Sequence, residues 1–314
     1  MFHVIVNPAG AGGKTMKKWL EAEKIMVREG IPYDATFSTL QKGIEEITSE
    51  LTENGADLVI FGGDGTMNQV VNGIRDFEHT RVAFFSCGSG NDLARSLGMK
   101  YSLQEGILKM KEGRTVRSLD IGKVIFHSRT NPEGVRLEDE YSRLFNISSG
   151  IGFDAEICAY VQKSKMKKKL NKVGLGKMIY LYEALHVIFT TQRTVSHITF
   201  DDGERQDYPG LLFTAAMNEP YEGGGFRFGT DAEASDGLLD FCTGDSLSQW
   251  DFFRIFPYAY KGAHVRFKGV HMKKARSAEI RTDLPLWVHT DGEIEYLSDH
   301  ITLCLIPEKL NMMI

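Results

Sequence analysis

Over its first hundred residues the chain alternates two periodicities of apolar and polar positions. Short apolar runs, Phe2 to Val6, "DLVIF" over 57–61 and "RVAFFS" over 81–86, read as buried strands. Between them apolar residues recur at helical spacing: Met16, Trp19, Leu20, Met26 and Val27 up to Gly30, then Ile44, Ile47 and Leu51 up to Gly55. An extended stretch, "IPYDATFS", separates these two helices, and "TMNQVVNGI" and "NDLARSLG" each open another. Strands divided by helices of this length predict a parallel sheet wound by right-handed crossovers. Ligands of such sheets sit at the carboxyl ends of the strands, where "NPAGAGG", "GGDGT" and "CGSGND" all fall.

From about Ser118 the pattern changes to short strands: "DIGKVIF", "HITF", "GLLFTAAM", "LLDFCT", "AEIRT", "LPLWVHT" and "ITLCLI". Asp202-Gly203 and Asp236-Gly237 supply turns, and two helices interrupt, near Leu175 to Phe189 and near Gln249 to Ala263. The expected fold is therefore α/β plus β. A doubly wound parallel-sheet domain spans residues 1–120, with about 305–314 assigned back to it. A mainly antiparallel β domain spans 121–304.

Hydrophobic content of 42% and charged content of 25% are ordinary for a soluble globular protein. No apolar run approaches about eighteen residues and the start lacks a signal-peptide pattern, so a cytoplasmic location is expected. A net charge of −5 argues against general nucleic-acid affinity. Cys87, Cys158, Cys242 and Cys304 lack metal-like or disulfide-like spacing and read as reduced structural thiols.

Three glycine loops carry the candidate chemistry. "NPAGAGGKT" is not a Walker P-loop, because the first required glycine falls on Pro8. Its glycines still leave backbone amides open to an anion. In "LVIFGGDGTMNQVVNG" a buried strand ends at Phe61, Gly62 and Gly63 turn, and Gly65-Thr66 lead into a helix whose N-terminus favours phosphate. Asp64 repels phosphate, and so suits Mg²⁺ or a proton in transfer; the plainer reading is a helix cap. "FFSCGSGNDLARSLG" repeats the device, with capping by Asn91 and Asp92 as its plain explanation.

These motifs resemble those of the diacylglycerol kinase catalytic domain family, whose bacterial members are soluble lipid kinases. "GGDGT" and "NQVVNG" are followed by "GSGNDLARSLG", and the likeness continues through "FNISSGIGFDAEI", "EGGGF", "SDGLLDF" and "HTDGEI". "GGDGT" alone is shared with NAD kinases; "GSGNDLAR" with "FNISSGIGFDAE" separates the lipid kinases from them. The resemblance implies a nucleotide domain and a β-sandwich domain with the active site between them, and ATP- and Mg²⁺-dependent transfer of a phosphoryl group to a lipid hydroxyl. Asn7, Thr39, the loop Gly62, Gly63, Asp64, Gly65, Thr66, then Gly88 and Ser89 would surround ATP, with Lys14 as an added positive charge. Glu293 matches the acidic residue proposed as general base. Asp64 would organise Mg²⁺, and Asp236 matches a position associated with a second, structural Mg²⁺; an ordinary type I′ turn is its alternative. Ser89 replaces a commoner Thr, and Thr230 a usual Pro.

A lipid acceptor implies peripheral contact with the inner membrane surface. "VQKSKMKKKLNKVGLGK" places Lys165, Lys168, Lys169 and Lys172 on one helical face, a candidate for anionic lipid or an ordinary solvated helix. "MIYLYEALHVIF" and "FFRIFPYAY" read mainly as buried core, or as the lining of an acyl-chain pocket. A metabolite kinase of the NAD kinase type and a catalytically silent binding module are the competing functions. The sequence allows a homodimer without indicating one.

Overall fold

The computed structural model describes residues 1–113, 116–137, 139–163 and 176–313, with 176–181 as backbone alone. The lysine-rich helix read at Lys165, Lys168, Lys169 and Lys172 lies outside them. The chain divides into two units, Met1–Asp120 with Pro307–Ile314, and Ile121–Ile306.

The first unit runs β1 (Phe2–Val6), α1 (Lys14–Arg28), β2 (Tyr33–Phe37), α2 (Ile44–Leu51), β3 (Asp57–Gly62), α3 (Asp64–Gly73), β4 (Arg81–Ser86), α4 (Asp92–Ser96) and α5 (Leu103–Glu112). The strands stand in the order β2-β1-β3-β4 and pair in parallel, with Val4 opposite both Ala35 and Val59 and Ile60 opposite Phe84. The chain's last strand, β15 (Glu293–Met313), closes the open edge: Asn311 and Met312 pair with Arg81 and Val82 of β4.

Strand periodicity of two divides the buried side chains between two faces. Val4, Val6, Val59, Phe61, Ala83 and Phe85 pack on Trp19 and Met26 of α1 and on Ile107 and Met110 of α5. Ile5, Leu58, Ile60, Val82 and Phe84 point the other way and are equally buried. On that side α2 and α3 pack against each other, β1 and β3. Each such side chain contributes about 1.5–3 kcal/mol on burial, and this holds the strand ends in place. Of the apolar positions at helical spacing, Leu20 and Val27 are exposed, and the buried stripe of α1 includes Trp19, Ala22, Ile25 and Met26.

The second unit contains β6 (Arg129–Thr130), β7 (Arg136–Leu137), β8 (Tyr141–Phe145), β9 (Ser148–Gly152), α6 (Phe153–Lys163), α7 (Gly176–Thr190), β10 (Thr194–Phe200), β11 (Arg205–Met217), β12 (Leu239–Asp245), α8 (Gln249–Ala259), β13 (Val270–Ala275) and β14 (Ser277–Thr290), and is entered along β5 (Val116–Phe126). "AEIRT" and "LPLWVHT", read as two strands, form the single β14, with a register shift between Arg281 and Leu286. β10 and β9 fill one slot in succession: both pair antiparallel with β11 and with β14, β10 along their first halves and β9 along their second. Ile198, Leu211, Phe241, Ile280, Val288 and Leu303 form its core. The four cysteines are free thiols. Burial raises the pKa of Cys87, Cys242 and Cys304, which keeps them protonated.

Among the described residues no helix is long and apolar enough to cross a membrane.

Candidate active site

The three glycine loops of the first unit touch one another. Gly10, the first glycine of the β1 loop, closes a turn by donating to the Asn7 carbonyl at 3.0 Å, and Ala11, Gly12 and Gly13 all have positive φ, at 51°, 66° and 92°. The Asn7 side chain donates to the hydroxyl of Thr66 at 3.1 Å, joining this loop to the first turn of α3, which contains Gly65. The Cys87 amide donates to the Gly62 carbonyl at 2.7 Å. Gly63 and Gly88 approach so closely that a Cβ on Gly88 would lie 3.1 Å from the Gly63 Cα. Asn7, Gly62, Gly63, Gly65, Thr66 and Gly88 are thus one cluster at the carboxyl ends of β1, β3 and β4.

Asp64, the half-buried first residue of α3, adjoins that cluster. Its Oδ2 accepts the backbone N–H of Asp92 at 3.2 Å. A Cβ on Gly90 would lie 3.0 Å from Asp64 Oδ2 and 3.2 Å from Asp92 Oδ2, so both carboxylates face the small space that glycine leaves. Asp92 is buried and pairs with the Arg95 guanidinium, which also donates to the Gly90 carbonyl at 3.1 Å. Two carboxylates beside an open helix N-terminus are hard oxygen donors of the kind Mg²⁺ takes, so the residues fit that ion. The sequence reading gave Asp92 a capping role only; the short spacing from Gly88 to Asp92 carries no sign that the carboxylate turns back on Asp64.

Other expected residues stand apart from this contact set. Lys14 is exposed at the start of α1. Lys18, one turn on, is the cation that reaches the strand ends, donating to the Ser86 carbonyl at 2.8 Å. Ser89 is exposed at the tip of its loop. The Thr39 hydroxyl accepts the amides of Gln41 at 3.2 Å and Lys42 at 3.0 Å and so serves its own turn.

In the second unit, Glu293 opens β15 directly after a two-residue hairpin. Asp291 and Gly292 at its tip have φ of 51° and 80°, the left-handed pair that a type I′ turn requires. The Asp291 carboxylate accepts three consecutive amides, from Asn146 at 3.1 Å, Ile147 at 2.8 Å and Ser148 at 3.1 Å. That anchor fixes where the hairpin presents Glu293.

Beneath the hairpin lies fully buried His289, whose Nε2 is 3.1 Å from Asp154 Oδ2 and 3.2 Å from Glu222 Oε1. The three ligand-type atoms lie within 4.8 Å of one another. Nδ1 accepts the Gly292 N–H at 3.2 Å, so Nε2 carries a hydrogen and points it at the carboxylates, which makes this a hydrogen-bonded cluster. Burial lowers the imidazole pKa, but the charges of Glu222, Asp154 and Asp291 outweigh it and push the value up to about 9. Residues 154, 222 and 289 each lie inside a stretch that carries the family resemblance, but sequence reasoning singled out none of them.

Asp236 accepts the Leu238 amide at 2.9 Å and pairs with Lys274 at 3.1 Å. The same ammonium lies 3.3 Å from Asp240 and donates to the Asp231 carbonyl at 2.9 Å. Asp236 lacks the positive φ of a type I′ turn; only Gly237 has one, at 76°.

Two family models match the chain: the diacylglycerol kinase catalytic domain over residues 1–124, and the YegS C-terminal NAD kinase beta sandwich-like domain over residues 147–314. The chain belongs to the diacylglycerol kinase catalytic domain family. Among its relatives in this family is YtlR of Bacillus subtilis, which carries the provisional name of lipid kinase. It is 27% identical over 301 residues, covering 92% of each chain. A Bacillus subtilis diacylglycerol kinase is 26% identical over 298 residues, covering 92% of this chain and 88% of the relative. A crystal structure from Bacillus anthracis, provisionally named as a diacylglycerol kinase, matches with a TM-score of 0.73 at 21% identity, over 99% of this chain and 96% of the other. That last likeness concerns the fold.

Proposed function

We propose that this protein is an ATP- and Mg²⁺-dependent lipid kinase that phosphorylates a lipid hydroxyl such as that of diacylglycerol. The observation that carries the reading is the contact set of Asn7, Thr66, Gly63 and Gly88 around the paired carboxylates Asp64 and Asp92. The amides at the start of α3 bind phosphate oxygens, and Lys18 and Lys14 add positive charge. Asp64 and Asp92 would hold Mg²⁺, which when bound neutralises charge on the phosphates.

The acceptor oxygen forms the new bond to the γ-phosphorus, the bond from that phosphorus to the β,γ-bridging oxygen breaks, and ADP leaves. The hydroxyl proton passes to Glu293, which the hairpin anchored by Asp291 presents. A positioned base of this kind is worth on the order of 10²- to 10⁴-fold in rate. A second, structural Mg²⁺ at Asp236 would compete for that carboxylate with Lys274, whose ammonium lies 3.1 Å from it.

The test is transfer of label from γ-labelled ATP with Mg²⁺, offered a bacterial lipid extract and, separately, NAD. Label entering the organic phase supports the reading, and its mobility identifies the acceptor. Label on NAD with none in the organic phase overturns the lipid reading in favour of a metabolite kinase; label in neither leaves the silent module.

A further inference from the structure

α8 is apolar on two opposite faces. Behind a capping box made by Ser248 and Asp251, its Phe252, Ile255 and Ala259 are buried at i, i+3, i+7 spacing, the ordinary stripe of a docked helix. The outward stripe carries Trp250, Phe253, Arg254 and Tyr258, and Trp250 is 81% exposed. The sequence reading had assigned this segment mainly to the core. α7 repeats the pattern with Tyr182, Leu185 and Phe189 exposed at i, i+3, i+7. The rings of Phe189 and Phe253 lie 6.1 Å apart, so the two helices expose one continuous strip. Single exposed apolar side chains are unremarkable, but contiguous ones mark a contact surface.

Two guanidiniums edge the strip. Arg254 stacks over Phe267 at 5.4 Å and Arg266 over Tyr258 at 4.1 Å, and these four residues line an open recess of about 380 Å³. Neither arginine has an ion pair among the described residues. The nearby Asp251 feels the Arg254 charge but is committed to the Ser248 amide and hydroxyl. From Phe252 to Met272 the chain has Arg254, Lys261, Arg266 and Lys268 and no Asp or Glu, although its net charge is −5.

We propose that this strip and recess form a docking surface for anionic membrane. Trp250, Phe253 and Phe189 enter the interfacial layer, where amphipathic aromatic rings are favoured. Arg254 and Arg266 take headgroup phosphates, whose geometry the guanidinium fork matches. A second copy of the chain fits less well, because a two-fold contact would set the arginines of the two strips against each other with only Asp251, already committed to Ser248, to offset them. The surface is argued from exposure and charge, independently of the catalytic reading.

The test is co-sedimentation without ATP, using vesicles of phosphatidylcholine alone or mixed with phosphatidylglycerol. The unaltered protein is expected to bind the mixed vesicles and to blue-shift its tryptophan emission on doing so. Trp250→Ser with Phe253→Ser should weaken binding at least about tenfold, and Arg254→Gln with Arg266→Gln should cost about tenfold on mixed vesicles alone. All four positions are outside the core of the helix, and unchanged thermal melts would establish that the variants fold. Vesicle binding unchanged in both variants overturns the proposal. So does a dimer that the Trp250 and Phe253 changes dissociate while vesicle binding persists. Vesicle binding by a protein that phosphorylates no lipid supports the surface while removing the lipid-kinase reading.

Discussion

The Asp64 carboxylate accepts the backbone N–H of Asp92 at 3.2 Å, tying the loop after β3 to the first turn of α4. That bond turns two separate glycine loops into one acidic site, and Gly90 is the residue that leaves room for it. Gly90→Ala would press a methyl within 3.0 Å of Asp64 Oδ2 and 3.2 Å of Asp92 Oδ2. Turnover is expected to fall on the order of 10²-fold, as a displacement of about 1 Å costs at such sites. The melting temperature should hardly move. Steady-state kinetics with a thermal melt checks this.

Lys18 and Lys14 share one face of α1, one turn apart, but only Lys18 reaches the strand ends. Lys18→Met is expected to weaken ATP binding about tenfold or more, the worth of one charged contact, and Lys14→Met distinctly less. Calorimetric titration with a non-hydrolysable ATP analogue compares them; equal losses would shift the role back toward Lys14.

The Asp291 carboxylate holds three amides while its backbone sits at a φ of 51°. Asn tolerates that conformation, so Asp291→Asn isolates the carboxylate from the turn. The amide nitrogen of Asn would face an N–H donor, and a loss of about 2 kcal/mol is expected in urea unfolding.

His289 makes stability depend on pH with a definite sign. Its pKa in the fold is about 9, above the unfolded value of about 6.5. The stabilisation is therefore complete below about pH 6.5 and fades as pH rises toward 9, by on the order of 3 kcal/mol in all. Urea midpoints of the unaltered protein and of His289→Gln should converge as pH climbs through that window. A constant gap would mean that the imidazole stays neutral.

How much of this was legible in sequence depended on range. Phe2–Val6, Asp57–Gly62 and Arg81–Ser86 declare themselves, because strands buried on both faces are continuous apolar runs. α5 escaped, although Ser102 and Glu105 form a capping box ahead of it, since its mixed Leu-Gln-Glu-Gly start hides the apolar stripe. The small residues of Ser148–Gly152 gave no strand signal, yet this strand fills the slot between β11 and β14. That long-range pairing brings Asp154, just after β9, to His289 on β14, and Glu222 joins them from the loop after β11. Glycine loops and single acidic residues were readable; which carboxylates face one another was not.

The division of labour between Asp64 and Glu293 is the central claim, and single-turnover transfer from γ-labelled ATP to extracted lipid tests it most directly. Glu293→Gln is expected to slow transfer on the order of 10²- to 10⁴-fold while ATP affinity is retained, and Asp64→Asn to abolish both transfer and the Mg²⁺ dependence of nucleotide binding. Full transfer rates in Glu293→Gln, or unchanged Mg²⁺-dependent binding in Asp64→Asn, would contradict the account.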